Sequence, residues 1–498
     1  RGGIRIIRSN DKASYTINHD LVFEETYNLA YTQQRKNKDI PEGGSKGALV
    51  IHYHSNDTNE QCFKQYIDSL LDLMLPRSDV RDYLDNKGKE DIIFIGPDEG
   101  TAEFMDWAGF RAKERNYQFW KAFSTGKTKE NGGIRHDDYG MTTQSIHQYV
   151  LGILDKYGLK EEEVTKVQTG GPDGDLGSNE ILIAKDKTIA VIDGSGVIYD
   201  PIGINREELR RLAKKRKMIN EFSTEMISRT GFRVLIDDTN VTLPDGSKVS
   251  NGRPFRDTFH LSNYAKADLF VPCGGRPKAV HINNWEKLLD DKGIPKFRFI
   301  VEGANVFFTQ EARLRLEEKG AIIIKDASAN KGGVTSSSYE VLASLVLNDE
   351  DYQNLFCQKG KKESAFRKEY IREVIHRIKQ NAKREFDVLW NEKEQSHIPF
   401  SILADTIANR INDITDKIYS SNFSDDEKVV KKVLSKYVPN ILRDHVKIDR
   451  IYEVLPPDYK RAIFSSYFAR KFIYRFGLQG SEVDFAAYTI KFTSSNYE

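Results

Sequence analysis

Hydrophobic and polar positions along the chain fall into three textures. Up to about residue 127 the pattern is mixed. Residues 48–54 read as a strand, 61–75 carry the 3.6-residue apolar period of an amphipathic helix, and 91–95 read as a short buried strand. After a loop rich in glycine, lysine and charge (125–138), residues 142–157 read as a helix. Strand-like runs then alternate with helical ones at 164–168, 188–193, 232–237, 267–273, 297–301 and 321–325. That alternation predicts a mostly parallel sheet with helices on both faces. From residue 348 onward the chain is charged and helical. Leu403, Ile407, Ile411, Ile414 and Ile418 form one helical stripe there, read as core or subunit contact. Residues 456–477 form a helix that is both basic and aromatic, expected to pack on its own protein rather than on nucleic acid or membrane.

Composition narrows the class. A chain of 498 residues with 39% hydrophobic content suggests two to four globular domains. Lys plus Arg (75) balances Asp plus Glu (74), so no global field recruits nucleic acid or an acidic membrane. Cys62, Cys273 and Cys357 are far apart and lack CxxC spacing, so neither a disulfide framework nor a zinc site is expected, and a reducing, intracellular compartment is. His52 and His54 have no third ligand nearby, so no metal site is expected there either. No apolar run approaches the length of a spanning helix, and no signal peptide opens the chain. The first residue, Arg1, falls inside an Arg-Gly-Gly-Ile-Arg motif, so the chain is expected to be the C-terminal part of something longer.

Candidate chemistry centres on Pro41-Glu42-Gly43-Gly44-Ser45-Lys46-Gly47, which sets a lysine between glycines just before an apolar run. Burial or a second cation would disfavour its ammonium, letting Lys46 act as a base or polarise a carbonyl or water. Read alone, the motif is more often a hairpin turn with a solvated lysine. It is not a phosphate-binding P-loop, which needs four residues between its glycines and a Ser or Thr after the lysine. Asp98 follows the strand at 91–95 on a Pro/Gly turn, where α/β proteins place their chemistry, although an Asp there also caps helices. The loop Gly170-Gly171-Pro172-Asp173-Gly174-Asp175-Leu176-Gly177 follows the first strand of the alternating set and opens a helix, an arrangement that holds a pyrophosphate. Its spacing departs from G-x-G-x-x-G. Asp193, ending the second strand, stands where an acid bonds a ribose and repels the extra phosphate of NADP, or is a turn residue before Gly194-Ser195-Gly196. Asn330-Lys331-Gly332-Gly333 reads as a glycine turn before a hydroxyl-rich helix start at 335–338, whose serines either cap or bind a carboxylate.

Taken in order, these motifs resemble the glutamate dehydrogenase superfamily of amino-acid dehydrogenases. The resemblance covers roughly residues 1–345: Arg-Gly-Gly-Ile-Arg at 1–5, Gly-Gly-Ser-Lys-Gly at 43–47, Gly-Pro-Asp-Glu-Gly-Thr at 96–101, Thr-Gly-Lys at 125–127, the glycine loop, the run at 191–201, Glu-Gly-Ala-Asn at 302–305 and Gly-Gly-Val-Thr-Ser-Ser-Ser at 332–338. The segment 33–40 and the helical tail are most similar to the large NAD-specific members of fungi. The resemblance implies an α/β fold: a substrate-binding domain over 1–145, a Rossmann-like doubly wound dinucleotide domain over 146–345 and a helical region over 346–498, with a cleft between the first two. It implies NAD-dependent oxidative deamination of L-glutamate to 2-oxoglutarate and ammonium by a homo-oligomer, tetramer or hexamer, in the cytoplasm or alternatively the mitochondrion. Lys46 and Asp98 are implied as catalytic. Arg1, Gln34 and Ser337 are implied on the substrate, and Thr143, Gly171, Gly174, Asp175, Leu176, Gly177, Asp193 and Asn305 on the cofactor. One departure stands out: the family has a lysine twelve residues before the catalytic one, on the α-carboxylate, and here that position is Gln34, with Arg35 and Lys38 as substitutes. Two rivals remain, a superfamily member acting on an apolar amino acid and a non-catalytic NAD-binding scaffold.

Overall fold

The structure is a computed structural model that describes residues 2–37, 46–75, 91–98, 100–358, 360 and 362–494. Its N-terminal part is a three-stranded parallel sheet in the order β2-β1-β3, with β1 at Gly2–Arg8, β2 at Gly47–Ile51 and β3 at Ile95–Pro97. Strand β1 alternates, so Ile4 and Ile6 point into the core. Three helices accompany the sheet: α1 (Lys12–Gln34), α2 (Asn59–Met74) and α3 (Met105–Glu114). A capping box starts α2, the Thr58 hydroxyl accepting from the Gln61 amide at 3.2 Å and the Gln61 side chain from the Thr58 amide at 2.7 Å. Its Phe63, Ile67, Leu71 and Met74 make the buried stripe that the period predicts.

Helix α4 (Met141–Tyr157) leads into a seven-stranded sheet of order β12-β11-β10-β4-β5-β6-β7. Its members are β4 (Thr165–Thr169), β5 (Lys187–Ile192), β6 (Gly196–Tyr199), β7 (Phe232–Leu235), β10 (Ala267–Pro272), β11 (Phe297–Val301) and β12 (Ile322–Ile324). A separate hairpin pairs β8 (Thr239–Thr242) with β9 (Lys248–Asn251). Six of the seven strands point the same way, and β6 alone runs against its neighbours β5 and β7. The sequence pattern misses β6. It is only four residues long, and its opening Gly196 has φ +157 and presses on the Val234 carbonyl oxygen, so it reads as the tail of a turn.

Helix α5 (Asp175–Ile183) follows β4, and α6 (Gly332–Val346) follows β12. Of the glycine turn expected at 330–333, Asn330 and Lys331 do form a turn, while Gly332 and Gly333 already belong to the first turn of α6. Glycine is required there by close packing on α4: a Cβ on Gly332 would lie 2.1 Å from the Met141 carbonyl oxygen and one on Gly333 2.7 Å from the Thr142 hydroxyl. The remaining helices include α7 (Ala365–Ser396), α8 (Phe400–Tyr419), α9 (Glu427–Tyr437) and α10 (Pro457–Phe476). One continuous core joins a face of the large sheet (Leu269, Val271, Phe299, Val301) to α4, α6 and these helices. The stripe on α8 lies in that core, as do Phe464, Phe468 and Phe472 of α10.

Candidate functional site: a lysine–aspartate cleft facing a glycine loop

The parallel register of the small sheet brings the two catalytic candidates together. Gly47 pairs with Ile4 and Gly96 with Gly3, so Lys46, just before β2, and Asp98, just after β3, flank Gly3 from opposite sides. The Lys46 ammonium donates to Asp98 Oδ2, and both side chains are largely buried. A Cβ on Gly3 would stand 2.7 Å from Lys46 Nζ and 3.3 Å from the Asp98 Cβ, so glycine is what lets the pair meet. Arg5 donates from Nη2 to Asp98 Oδ1 at 3.2 Å and is itself paired with Glu25. The Thr101 hydroxyl fixes the turn, accepting from the Asp98 amide at 3.0 Å and donating to the Ile4 carbonyl at 2.7 Å. Burial works to raise the Asp98 carboxyl, but the Lys46 ammonium and then the Arg5 guanidinium outweigh it and hold it below its ordinary value. Asp98 is therefore a carboxylate at neutral pH, able to receive a proton.

These residues line a cleft of about 300 Å³, whose opposite wall comes from the large sheet and α6: Leu176, Gly303, Asn305, Asn330, Val334 and Ser337. Ser337 donates to the Gly333 carbonyl at 3.2 Å within its helix. Asn305 accepts from the Asn330 amide at 2.8 Å and from Lys36 Nζ at 3.4 Å. Of the residues expected on the substrate, Arg1 lies outside the described residues, as do Gly43, Gly44, Ser45 and Lys38. Gln34 is not in the cleft. It is the last residue of α1, and its carbonyl accepts from Asn412 at 3.4 Å. The cleft is lined instead by Gln33 and Lys36. Counting twelve residues back from Lys46 reaches Gln34, where α1 ends and the chain turns; the adjacent Arg35 pairs with Asp405 at 3.2 Å.

The glycine loop stands at the C-terminal end of β4. Gly174 precedes α5 as its N-cap without a side-chain cap, leaving the helix's first amides to another partner. A Cβ on Gly174 would meet nothing closer than 3.6 Å, whereas one on Gly171 would lie 2.4 Å from the Asp193 Cβ and one on Gly177 2.4 Å from the carbonyl oxygens of Gly170 and Gly171. Gly171 and Gly177 are thus demanded by the loop's own packing, and Gly174 keeps its approach open. Leu176 reaches the cleft. Asp175 is exposed and paired with Arg216 at 3.1 Å. Asp193 sits at the expected strand end, where its carboxylate accepts from the Ser195 amide and hydroxyl at 2.8 and 2.6 Å and from the Ile219 amide at 2.7 Å. Burial raises its pKa from the ordinary value against those bonds. Thr143 is fully buried and it is its neighbour Thr142 that lines the cleft.

One organising residue carries no motif signal. Glu340, fully buried on α6, accepts from the Gly126 and Ile134 amides at 3.2 and 2.8 Å and pairs with Lys127 at 3.2 Å, tying the Thr-Gly-Lys loop to the helix that bears Ser337.

This fold and cleft define a Rossmann-type α/β protein whose lysine–aspartate pair faces the glycine loop of its nucleotide sheet. A family model described as glutamate/leucine/phenylalanine/valine dehydrogenase matches residues 132–396, and one described as bacterial NAD-glutamate dehydrogenase, catalytic domain, matches residues 1–246. The chain belongs to the glutamate/leucine/phenylalanine/valine dehydrogenase family. It is 52% identical over 488 residues to glutamate dehydrogenase 2 of Dictyostelium discoideum, an alignment covering 98% of this chain and 46% of the relative. It is 49% identical over 489 residues to the NAD-specific glutamate dehydrogenase of Neurospora crassa, covering 97% and 46%. The chain spans about half the length of the curated relatives it matches. Among solved structures it is similar to a hetero-hexameric glutamate dehydrogenase from Thermus thermophilus, with a TM-score of 0.54 at 18% identity over 82% of this chain and 79% of the other. That likeness shows the fold.

Proposed function

We propose that this chain is the catalytic part of an NAD-specific glutamate dehydrogenase, converting L-glutamate and water to 2-oxoglutarate and ammonium. The observation that carries the reading is the meeting of Lys46 and Asp98 around Gly3, inside a cleft whose far wall holds the glycine loop's Leu176. The names of the relatives support the substrate and the cofactor. NAD fits the loop: the open approach at Gly174 and the uncapped start of α5 suit a pyrophosphate. Gly171, Gly174 and Gly177 would hold it, with Asp193 at the ribose end and Asn305 at the nicotinamide end. When bound, NAD takes the hydride from C2 of glutamate.

The protein's own groups do the rest. Lys36 and Gln33 would bind the α-carboxylate in place of Gln34, and Ser337 with Arg1 the side-chain carboxylate. Substrate entering between Lys46 and Asp98 breaks their pair. Asp98, already ionised, takes a proton from the substrate nitrogen and later returns one to the departing ammonia. Lys46 orients and polarises the water that attacks C2 of the substrate imine. A homo-oligomer, tetramer or hexamer, and an intracellular location, cytoplasmic or mitochondrial, go with this reading. The exposed apolar side chains of α1, Ile17, Leu21, Phe23 and Tyr27, support assembly.

The test is reduced-nicotinamide absorbance with the purified full-length protein. Signal with glutamate and NAD, and none with glutamate and NADP or leucine and NAD, is the expected result. Signal with leucine would favour the apolar-substrate rival, and silence in all three the scaffold.

A further inference from the structure

Two acids, Asp173 of the glycine loop and Asp193 at the end of β5, meet at one corner of the large sheet. A Cβ on Gly171 would lie 2.5 Å from Asp193 Oδ2 and 2.8 Å from Asp173 Oδ1, so the lack of a side chain at Gly171 is what lets both carboxylates share that corner. They are used differently. Asp193 is only 6% exposed, and both of its oxygens are engaged, Oδ1 by the Ser195 amide and hydroxyl and Oδ2 by the Ile219 amide. The segment that supplies Ile219 folds over the strand end, its Met218 methyl 3.5 Å from where a Cβ on Gly194 would be. Asp193 thus acts as a clasp that pins the chain at 195 and 219 rather than as an open acceptor. Asp173 is half-buried and, among the described residues, accepts no hydrogen bond and forms no ion pair. Its acceptor oxygens are left for whatever binds beside it. Burial first, and then the charge of Asp173, raise the Asp193 carboxyl, so the two acids sense each other across Gly171.

The same corner is rich in cations. The helix Arg206–Lys215 ends in Lys214 and Lys215, and Arg216 and Lys217 follow immediately before Met218. Arg216 donates to the Gly174 carbonyl and to Asp175, each at 3.1 Å, and so stands at the glycine loop. Guanidinium and ammonium groups attract phosphate, whereas a carboxylate repels it, so the unpartnered acid decides which field a nucleotide meets here. On the dinucleotide reading above, on which this inference rests, we propose that Asp173 is the residue that sets cofactor specificity: its carboxylate repels the 2′-phosphate of NADP and offers oxygens to the ribose hydroxyls of NAD, while Asp193 holds the covering segment in place.

The test is fluorescence titration of the purified full-length protein with NADH and with NADPH, which reads binding and needs no turnover, in the wild type, Asp173→Asn and Asp193→Asn. The wild type is expected to bind NADH at least about tenfold more tightly than NADPH, and Asp173→Asn to shrink that ratio about tenfold. Asp193→Asn is expected to lower the urea midpoint while moving the ratio less than about threefold. Asp173→Ser, also uncharged, repeats the measurement should the Asn variant fail to fold. NADH binding with the ratio unchanged in the Asp173 variants, or a ratio that collapses in Asp193→Asn instead, would overturn the proposal and leave the dinucleotide reading standing. Absence of saturable binding of either nucleotide would overturn the dinucleotide reading and this proposal with it.

Discussion

At the scale of single residues, the candidate site was legible where the chemistry needs a fixed neighbour in sequence and illegible where it needs a fixed neighbour in space. Lys46 sits among glycines, and Asp98 follows a strand on a Pro/Gly turn, so local pattern found both. The position expected on the α-carboxylate was sought by counting, which reaches Gln34 at the end of α1, whereas Gln33 and Lys36 line the cleft and are the pair proposed for that role. Lys36→Met is therefore expected to raise the KM for glutamate about tenfold or more by removing a charge-assisted contact. Gln34→Ala is expected to leave KM within about twofold. Steady-state kinetics of the two variants check this, and the reverse ordering would return the α-carboxylate to Gln34. Glu340 shows the opposite limit, because a lone acid inside an apolar-looking helix carries no signal until its partners at 126–134 are seen. Glu340→Gln leaves Lys127 buried without its countercharge, and the expected cost is about 3–5 kcal/mol, read as a lower denaturant midpoint.

At the scale of elements, six of the seven strands of the large sheet were legible because each is a short segment rich in β-branched or apolar residues, bounded by turn residues. Strand β6 was not, since four residues that open on a positive-φ glycine give too short a period to read. The helix start at Gly332 was hidden for a related reason: glycine there answers to a neighbouring helix 2.1 Å from where a Cβ would be, a contact invisible along the chain. His260, beside Phe307 at 5.6 Å, belongs to this scale because it packs a short helical turn against the sheet. Burial lowers its pKa from 6.5 to about 4. Between those values the unfolded chain binds a proton that the native state refuses, so stability falls as pH drops through the window, by up to about 1.4 kcal/mol per unit. Urea midpoints at pH 7 and 5 are expected to differ less in His260→Phe than in the wild type.

At the scale of the whole molecule, the turn that follows α1 is held by α8. Asp405 of α8 forms ion pairs with Arg35 at 3.2 Å and Lys325 at 2.7 Å, and Asn37 donates to the Ala408 carbonyl at 2.9 Å and to the Asn412 side-chain oxygen at 3.0 Å. These contacts favour a closed cleft. Asp405→Ala is expected to populate a more open form, raising the radius of gyration in small-angle scattering and the KM severalfold while kcat changes little. Identical scattering from both proteins would count against that closure. The account's central claim is that the pair formed around Gly3 performs the chemistry, and Lys46→Ala tests it most directly. The measurement is NADH formation from glutamate by that variant alongside NAD binding by the same sample. Turnover reduced at least about a hundredfold with NAD affinity unchanged is the predicted result. Turnover at the wild-type rate would contradict it.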